Sequence, residues 1–149
     1  TLGALLCDLD TGNVLAQAST HNPQIRWGED IMNRVASANR DGQLALMQRA
    51  VAEAIGELAR DATLAVGATP QDVVELVVVA NTVMHHIFLG LDVHSLGVVP
   101  FSPTVSRSLD IKARELGIPK NTVGTRLLRA RKRLRELLTE TLGDKDQAS

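Results

Sequence analysis

The stretch that most constrains this chain is Glu75-Leu76-Val77-Val78-Val79-Ala80-Asn81-Thr82-Val83-Met84-His85-His86. An unbroken β-branched run that stops at a small residue, then Asn-Thr ahead of a new apolar run, predicts a buried strand whose C-terminal tip turns straight into a helix. Asn81 or Thr82 would cap that helix. Helix N-termini at strand tips present unpaired N–H groups and a positive dipole end, so open α/β sheets hold anions there, phosphates above all. The plainer reading is a strand-to-helix connection with no ligand.

At 149 residues the chain suffices for one domain with a substantial core. Apolar residues make up 44%, yet there is no Tyr, one Trp and two Phe. The core must therefore be aliphatic, and little aromatic surface is left for stacking single-stranded bases. The single cysteine, Cys7, excludes a disulfide within the chain and a four-thiolate iron–sulfur cluster. Lying in an apolar run, it reads as inert. No apolar run reaches about 18 residues and no basic start precedes an apolar segment, so neither a membrane span nor a secretory signal is expected, and the default is cytoplasmic.

The net charge of −1 hides an asymmetry. Residues 1–108 carry 6 basic and 11 acidic side chains, a balance of −5, whereas residues 109–149 carry 10 and 6, a balance of +4. From Lys112 to Arg135 the count is 9 against 1. Opposite electrostatic characters suggest two different partners.

In chain order, apolar residues to Leu9, the turn signal Asp10-Thr11-Gly12-Asn13 and apolar Val14 to Ala18 predict a β-hairpin. A chain that starts in a strand, without a turn or cap, suggests that something upstream is missing. The polar, Pro/Gly-punctuated stretch His21 to Asp30 leads into Ile31 to Val35 at helical spacing, and Glu29 and Asp30 can cap that helix or position a metal-bound nucleotide. Leu44, Met47, Val51, Ala54, Ile55, Leu58 and Ala62 recur at helical steps and predict a long amphipathic helix within Asp41 to Val66, closed by Gly67. Thr69-Pro70-Gln71-Asp72 reads as a short turn before a strand from Val73 to Val79, which makes a helix-then-strand unit of a parallel sheet. Helix is expected from Val83 to Leu89 and is stopped by Gly90, while Leu91 to Ser106 reads as loop. Beyond Ser108, a short helix through Leu109, Ala113 and Leu116, a Gly117-Ile118-Pro119 break and a basic helix starting at Asn121 or Thr122 outline a helix-turn-helix.

His85 and His86 are adjacent, so on a helix they point about 100° apart and cannot grip one metal together. The expectation is one buried, hydrogen-bonded histidine and one at the surface. The sequence offers no catalytic triad, Gly-rich phosphate cradle or metal-ligand set, so neither catalytic nor metal residues are assigned. The basic helix either is solvated or meets a polyanion, and the lack of neighbouring carboxylates favours nucleic acid.

Three motifs carry a resemblance: Cys7-Asp8-Leu9-Asp10-Thr11-Gly12, His21-Asn22-Pro23-Gln24-Ile25-Arg26-Trp27-Gly28-Glu29-Asp30, and Val77 to His86. Pro100-Phe101 and Ala113-Arg114-Glu115-Leu116-Gly117 follow them. On these residues the segment from Thr1 to about Leu116 resembles the ATPase domain of the reductive activators of corrinoid proteins, iron–sulfur members of the actin, sugar-kinase and Hsp70-like superfamily. The resemblance implies an α/β fold, a partial ribonuclease-H-like lobe. It also implies ATP with Mg as cofactor and a corrinoid protein as partner, whose inactive cobalt(II) is reduced by one electron. Asn81 and Thr82, with Asn22, Gln24 and Asp30, would face the nucleotide. Ala80 and Val83 stand where the family has Gly and Thr, and the family's Asp-Ile-Gly-Thr phosphate loop is absent.

Leu116-Gly117-Ile118-Pro119, Thr122-Val123, Arg126-Leu127 and Arg129-Ala130-Arg131 resemble the promoter-binding region of extracytoplasmic-function sigma factors. That implies an all-α basic tail with DNA and RNA polymerase as partners. Lys120, Thr122, Thr125, Arg126, Arg129, Arg131, Lys132 and Arg133 would contact DNA. The expected organisation is a truncated ATPase lobe over 1–107, a helix-turn-helix over 108–142 and a disordered tail over 143–149. The two resemblances overlap at Ser108 to Pro119, as in a chimeric reading frame, and such a fusion is expected to lack full activity. A lobe missing a central strand exposes an edge and is expected either to be marginally stable or to self-associate, with no membrane as partner.

Overall fold

The computed structural model describes residues 1–107, 109–116 and 118. It is mixed α/β, and β1 (Leu2–Cys7) and β2 (Val14–Thr20) form the expected antiparallel hairpin. Asp8 organises its turn. One carboxylate oxygen of Asp8 accepts from the backbone N–H groups of Asp10 at 3.0 Å and Thr11 at 2.7 Å and from the Thr11 hydroxyl at 2.8 Å. Gly12, at φ 75°, supplies the left-handed residue that brings the chain back.

Those hydrogen bonds, led by the one from the Thr11 backbone, hold the Asp8 carboxyl below its ordinary value of 3.8. The native state is then the stronger acid, so the turn's contribution is complete above the unfolded-state value and is lost as pH falls through the depressed one. An NMR titration should place the Asp8 midpoint below 3.8, with the Thr11 amide reporting the same transition. A midpoint at or above that value would show that the turn is not held by this carboxylate.

The hairpin alternates along β1 and from Leu15 onward in β2, with an irregularity at Leu6 and Cys7 opposite exposed Val14. Leu2, Ala4, Leu6, Ala16 and Ala18 face inward, whereas Leu5, Cys7 and Leu15 are exposed. Cys7, taken with its apolar run as inert, thus stands at the surface on the outward face. Against the inner face lies α2 (Gln43–Leu64), which packs on both strands. Its C-terminal end is closed as expected by Gly67 at φ 69°, and the Ala68 N–H reaches back to the Thr63 carbonyl at 3.0 Å.

Two apolar clusters share α2 and α3 (Thr82–Leu89). Met47 of α2 and Val83 and Ile87 of α3 join Val35 and Ala38 of α1 (Ile31–Ala38), Val93 and Leu96, with Trp27 and Leu44 at the margin. Val51 and Ala52 of α2 join Phe88 of α3 and Ile118, with Ile55, Val73, Leu89 and Leu116 around them. All these core side chains but Trp27 and Phe88 are aliphatic or Met. No helix among the described residues is long and apolar enough to cross a membrane.

The buried strand expected from Val73 to Val79 is not there. Among the described residues the only ladder is β1–β2, and Leu76–Ala80 makes no hydrogen bond to any of them. Val77 is 68% exposed and Val79 94%. A β-branched run becomes a central strand only when neighbouring strands satisfy its N–H and C=O groups on both sides. Here the long α2 separates it in sequence from the hairpin, and none of the described residues supplies a third strand. The expected short helix at Leu109 to Leu116 is a single 3₁₀ turn, Ala113–Leu116. The basic helix falls outside the described residues.

Candidate functional site

Asn81 caps α3 through its side chain, whose oxygen accepts from the Met84 N–H at 2.9 Å, and its own carbonyl accepts from the His85 N–H at 2.9 Å. Gly90, at φ 68°, stops the helix where expected. With Asn81 serving Met84 and His85, the first-turn N–H groups of Thr82 and Val83 remain without an intrahelical acceptor.

A cleft of about 440 Å³ opens at this end of α3. It is lined by Val78, Val79, Ala80 and Thr82 from the run into α3, by His85 of α3, and by Pro103, Val105, Ser106 and Arg107 from the loop that follows. The volume lies within the range of small-molecule sites, roughly 300–1,000 Å³. The lining combines apolar side chains with a few polar groups and one guanidinium, and it is largely open to solvent. Arg107 is exposed and makes no ion pair or hydrogen bond with the described residues, so its donors are available.

The loop bearing Arg107 is tied back at three points. The Ser95 hydroxyl donates to the Ser102 carbonyl at 2.6 Å, the Thr104 hydroxyl to the Asp92 carbonyl at 3.3 Å, and the Val105 N–H to Nε2 of His86 at 3.2 Å. The histidine pair meets the expectation for its buried member, while the other is not fully at the surface. His86 is fully buried and also bonds the Thr82 carbonyl through Nδ1 at 2.8 Å. His85 is half-buried, with the two rings edge to face at 5.9 Å.

Of the five residues assigned to the nucleotide by resemblance, Thr82 lines the cleft and Asn81 stands beside it as the cap. The other three belong to another part of the fold. Asn22 is buried, and its side-chain oxygen accepts from the Gln24 N–H at 2.9 Å at the start of the 3₁₀ turn Pro23–Trp27. Gln24 is fully buried, and neither atom of its amide has a partner among the described residues. Asp30 caps α1, one oxygen accepting from the Asn33 N–H at 2.7 Å and the other from its side-chain amide at 2.6 Å. Capping, one of the two roles open to Asp30, is the one seen. The eight DNA-contact candidates, from Lys120 to Arg133, lie outside the described residues.

Arg107 and His85 were not assigned to the nucleotide from sequence. Arg107 follows directly on a stretch that reads as plain loop, and only Pro100 and Pro103 signal that the chain doubles back. Among the described residues no group of three His, Cys, Asp or Glu side chains is placed to hold a metal ion.

Comparison with known proteins covers most of the chain. Residues 1–129 match the model of the RACo middle region. The corrinoid activation enzyme RamQ of Eubacterium limosum is 28% identical over 121 residues, which are 80% of this chain and 20% of that protein. A solved structure of a reductive activator for corrinoid, iron–sulfur protein superposes with a TM-score of 0.76 at 27% identity, covering 82% of this chain and 20% of that one. The chain thus spans about a fifth of the length of these relatives. The match through residue 129 runs across the join expected at Ser108 to Pro119 and takes in much of the segment that resembles a sigma factor, a resemblance that gains no support here. The chain belongs to the RACo middle region family.

Proposed function

We propose that this chain is the nucleotide-facing part of an ATP-dependent reductive activator of corrinoid proteins, with the α3 cleft receiving ATP. The observation that carries the reading is the conjunction of the family match with an amphipathic cleft at the Asn81–Thr82 helix start. The residues present suit the ligand. The Thr82 N–H, the hydroxyls of Thr82 and Ser106 and the Arg107 guanidinium bind phosphate oxygens, while Val78, Val79, Pro103 and Val105 offer apolar contact.

In such an activator, bound ATP supplies the free energy for an otherwise unfavourable one-electron reduction of corrinoid cobalt. The role of this chain is to bind and orient, with Asn81 holding the helix start in place and Arg107 neutralising phosphate charge. The single Cys7 leaves a four-thiolate cluster to other parts of such a protein. A corrinoid protein is the partner that the family relation implies.

A thermal melt of the 149-residue chain with MgATP tests the reading. At a hundredfold excess over Kd, ligand linkage of about 2.7 kcal/mol raises Tm by roughly 5–10 °C for a chain of this size. Arg107→Ala should weaken binding by roughly 10–100-fold, the worth of a hydrogen bond to a charged group. No shift with MgATP would reject the proposal. A shift with duplex DNA alone would move the function to the basic tail.

A further inference from the structure

His86 bonds both segments that line the cleft, and its protonation pattern is fixed by its partners. A backbone N–H can only donate, so Nε2, which meets the Val105 N–H at 3.2 Å, must be the bare nitrogen. The proton of the neutral ring is then on Nδ1 and is donated to the Thr82 carbonyl at 2.8 Å. One fully buried imidazole therefore ties the first residue of α3 to the backbone of the loop that follows. Thr82, Val105, Ser106 and Arg107 all line the cleft.

We propose that His86 is a positioning residue: its Nδ1–H tautomer latches the Val105–Arg107 segment to the start of α3, so that latch closure and occupation of the cleft favour each other. The second half rests on the nucleotide reading above. The first half does not. His86 is walled off from ligand by burial, so it acts only through the groups it holds. Ser106 and Arg107 follow the latched residue directly, and release of the Val105 N–H frees both to swing away from Thr82. An anion bridging Thr82 and Arg107 would hold the same two segments together, which makes the coupling reciprocal.

The experiment uses the 149-residue chain labelled with ¹⁵N. Ring nitrogen shifts of wild-type His86 should report a protonated Nδ1 and a bare, hydrogen-bonded Nε2, and the Val105 amide should exchange slowly with solvent. In His86→Leu that amide should exchange roughly fivefold faster or more, the worth of one net hydrogen bond, while the amides of Ile87 and Phe88 keep their protection. His86→Gln, whose side-chain oxygen can accept from Val105, should recover part of the protection. MgATP should slow Val105 exchange in the wild type and bind His86→Leu more weakly by a similar factor.

A proton on Nε2 in the wild type would overturn the latch, as would a Val105 amide indifferent to His86→Leu. If His86→Leu does not fold, the wild-type tautomer and the Val105 protection decide. An intact latch with no response to MgATP would reject the nucleotide reading and uphold the latch.

Discussion

Gly28→Ala should lower the stability of the chain by roughly 3 kcal/mol. Gly28 follows the Pro23–Trp27 turn at φ 153°, a backbone region that L residues rarely adopt. A Cβ built there meets Asn33 Cβ at 2.6 Å and the Arg34 nitrogen and Asn33 carbonyl carbon at 3.0 Å. None of those atoms is the end of a flexible side chain, so relief requires the turn and α1 to separate. The contact they would give up includes the Gly28 carbonyl accepting from buried Arg34 Nε at 2.8 Å and the Trp27 carbonyl accepting from the Ser37 hydroxyl at 2.7 Å. Backbone strain of about 1–3 kcal/mol and overpacking of about 1–3 kcal/mol together are a large share of the 5–15 kcal/mol that holds a typical domain together. Urea denaturation should show the midpoint falling with the slope unchanged. A midpoint equal to the wild type would mean that α1 is not seated on this turn.

Ile87→Ala should cost about 2–5 kcal/mol, the range for a buried Ile truncated to Ala. Ile87 is fully buried where α3 meets α1 and α2. With Val83 it anchors the helix whose first turn faces the cleft. Calorimetry should find Tm lower by roughly 6–12 °C for a loss near 3 kcal/mol. Ile87→Val, which keeps most of the volume, should cost only about 0.5–1.5 kcal/mol. The truncation should also weaken MgATP binding, because α3 is seated by this side chain. Equal stability of the Ala and Val variants would show that the first cluster is not closely packed.

The sequence made local features legible and concealed those that depend on distant partners. The Asp-Thr-Gly-Asn turn, the helical repeat from Leu44 to Ala62, the cap narrowed to Asn81 or Thr82 and the Gly90 stop each have their cause within a few residues. The run from Val73 to Val79 does not. Its β-branched composition reports what environment the segment suits, and a strand exists only where partners supply that environment. The same reason hides the Val105 to His86 bond, which joins a loop to a helix and leaves no periodic trace. The split of the histidine pair was readable from helix geometry, but the partner of the buried one was not. Buried Arg34, bonded to the carbonyls of Gly28 and Glu29, was likewise invisible, since backbone acceptors carry no residue signature.

The outward-facing run from Leu76 to Ala80 ends at Asn81, the residue that caps the helix facing the cleft. Whatever zips onto that backbone, which none of the described residues does, would also set the angle at which the chain enters α3. Grip on a ligand at the helix mouth should therefore tighten or slacken with the company the neighbouring ribbon keeps, so that assembly and ligand affinity are read from one hinge.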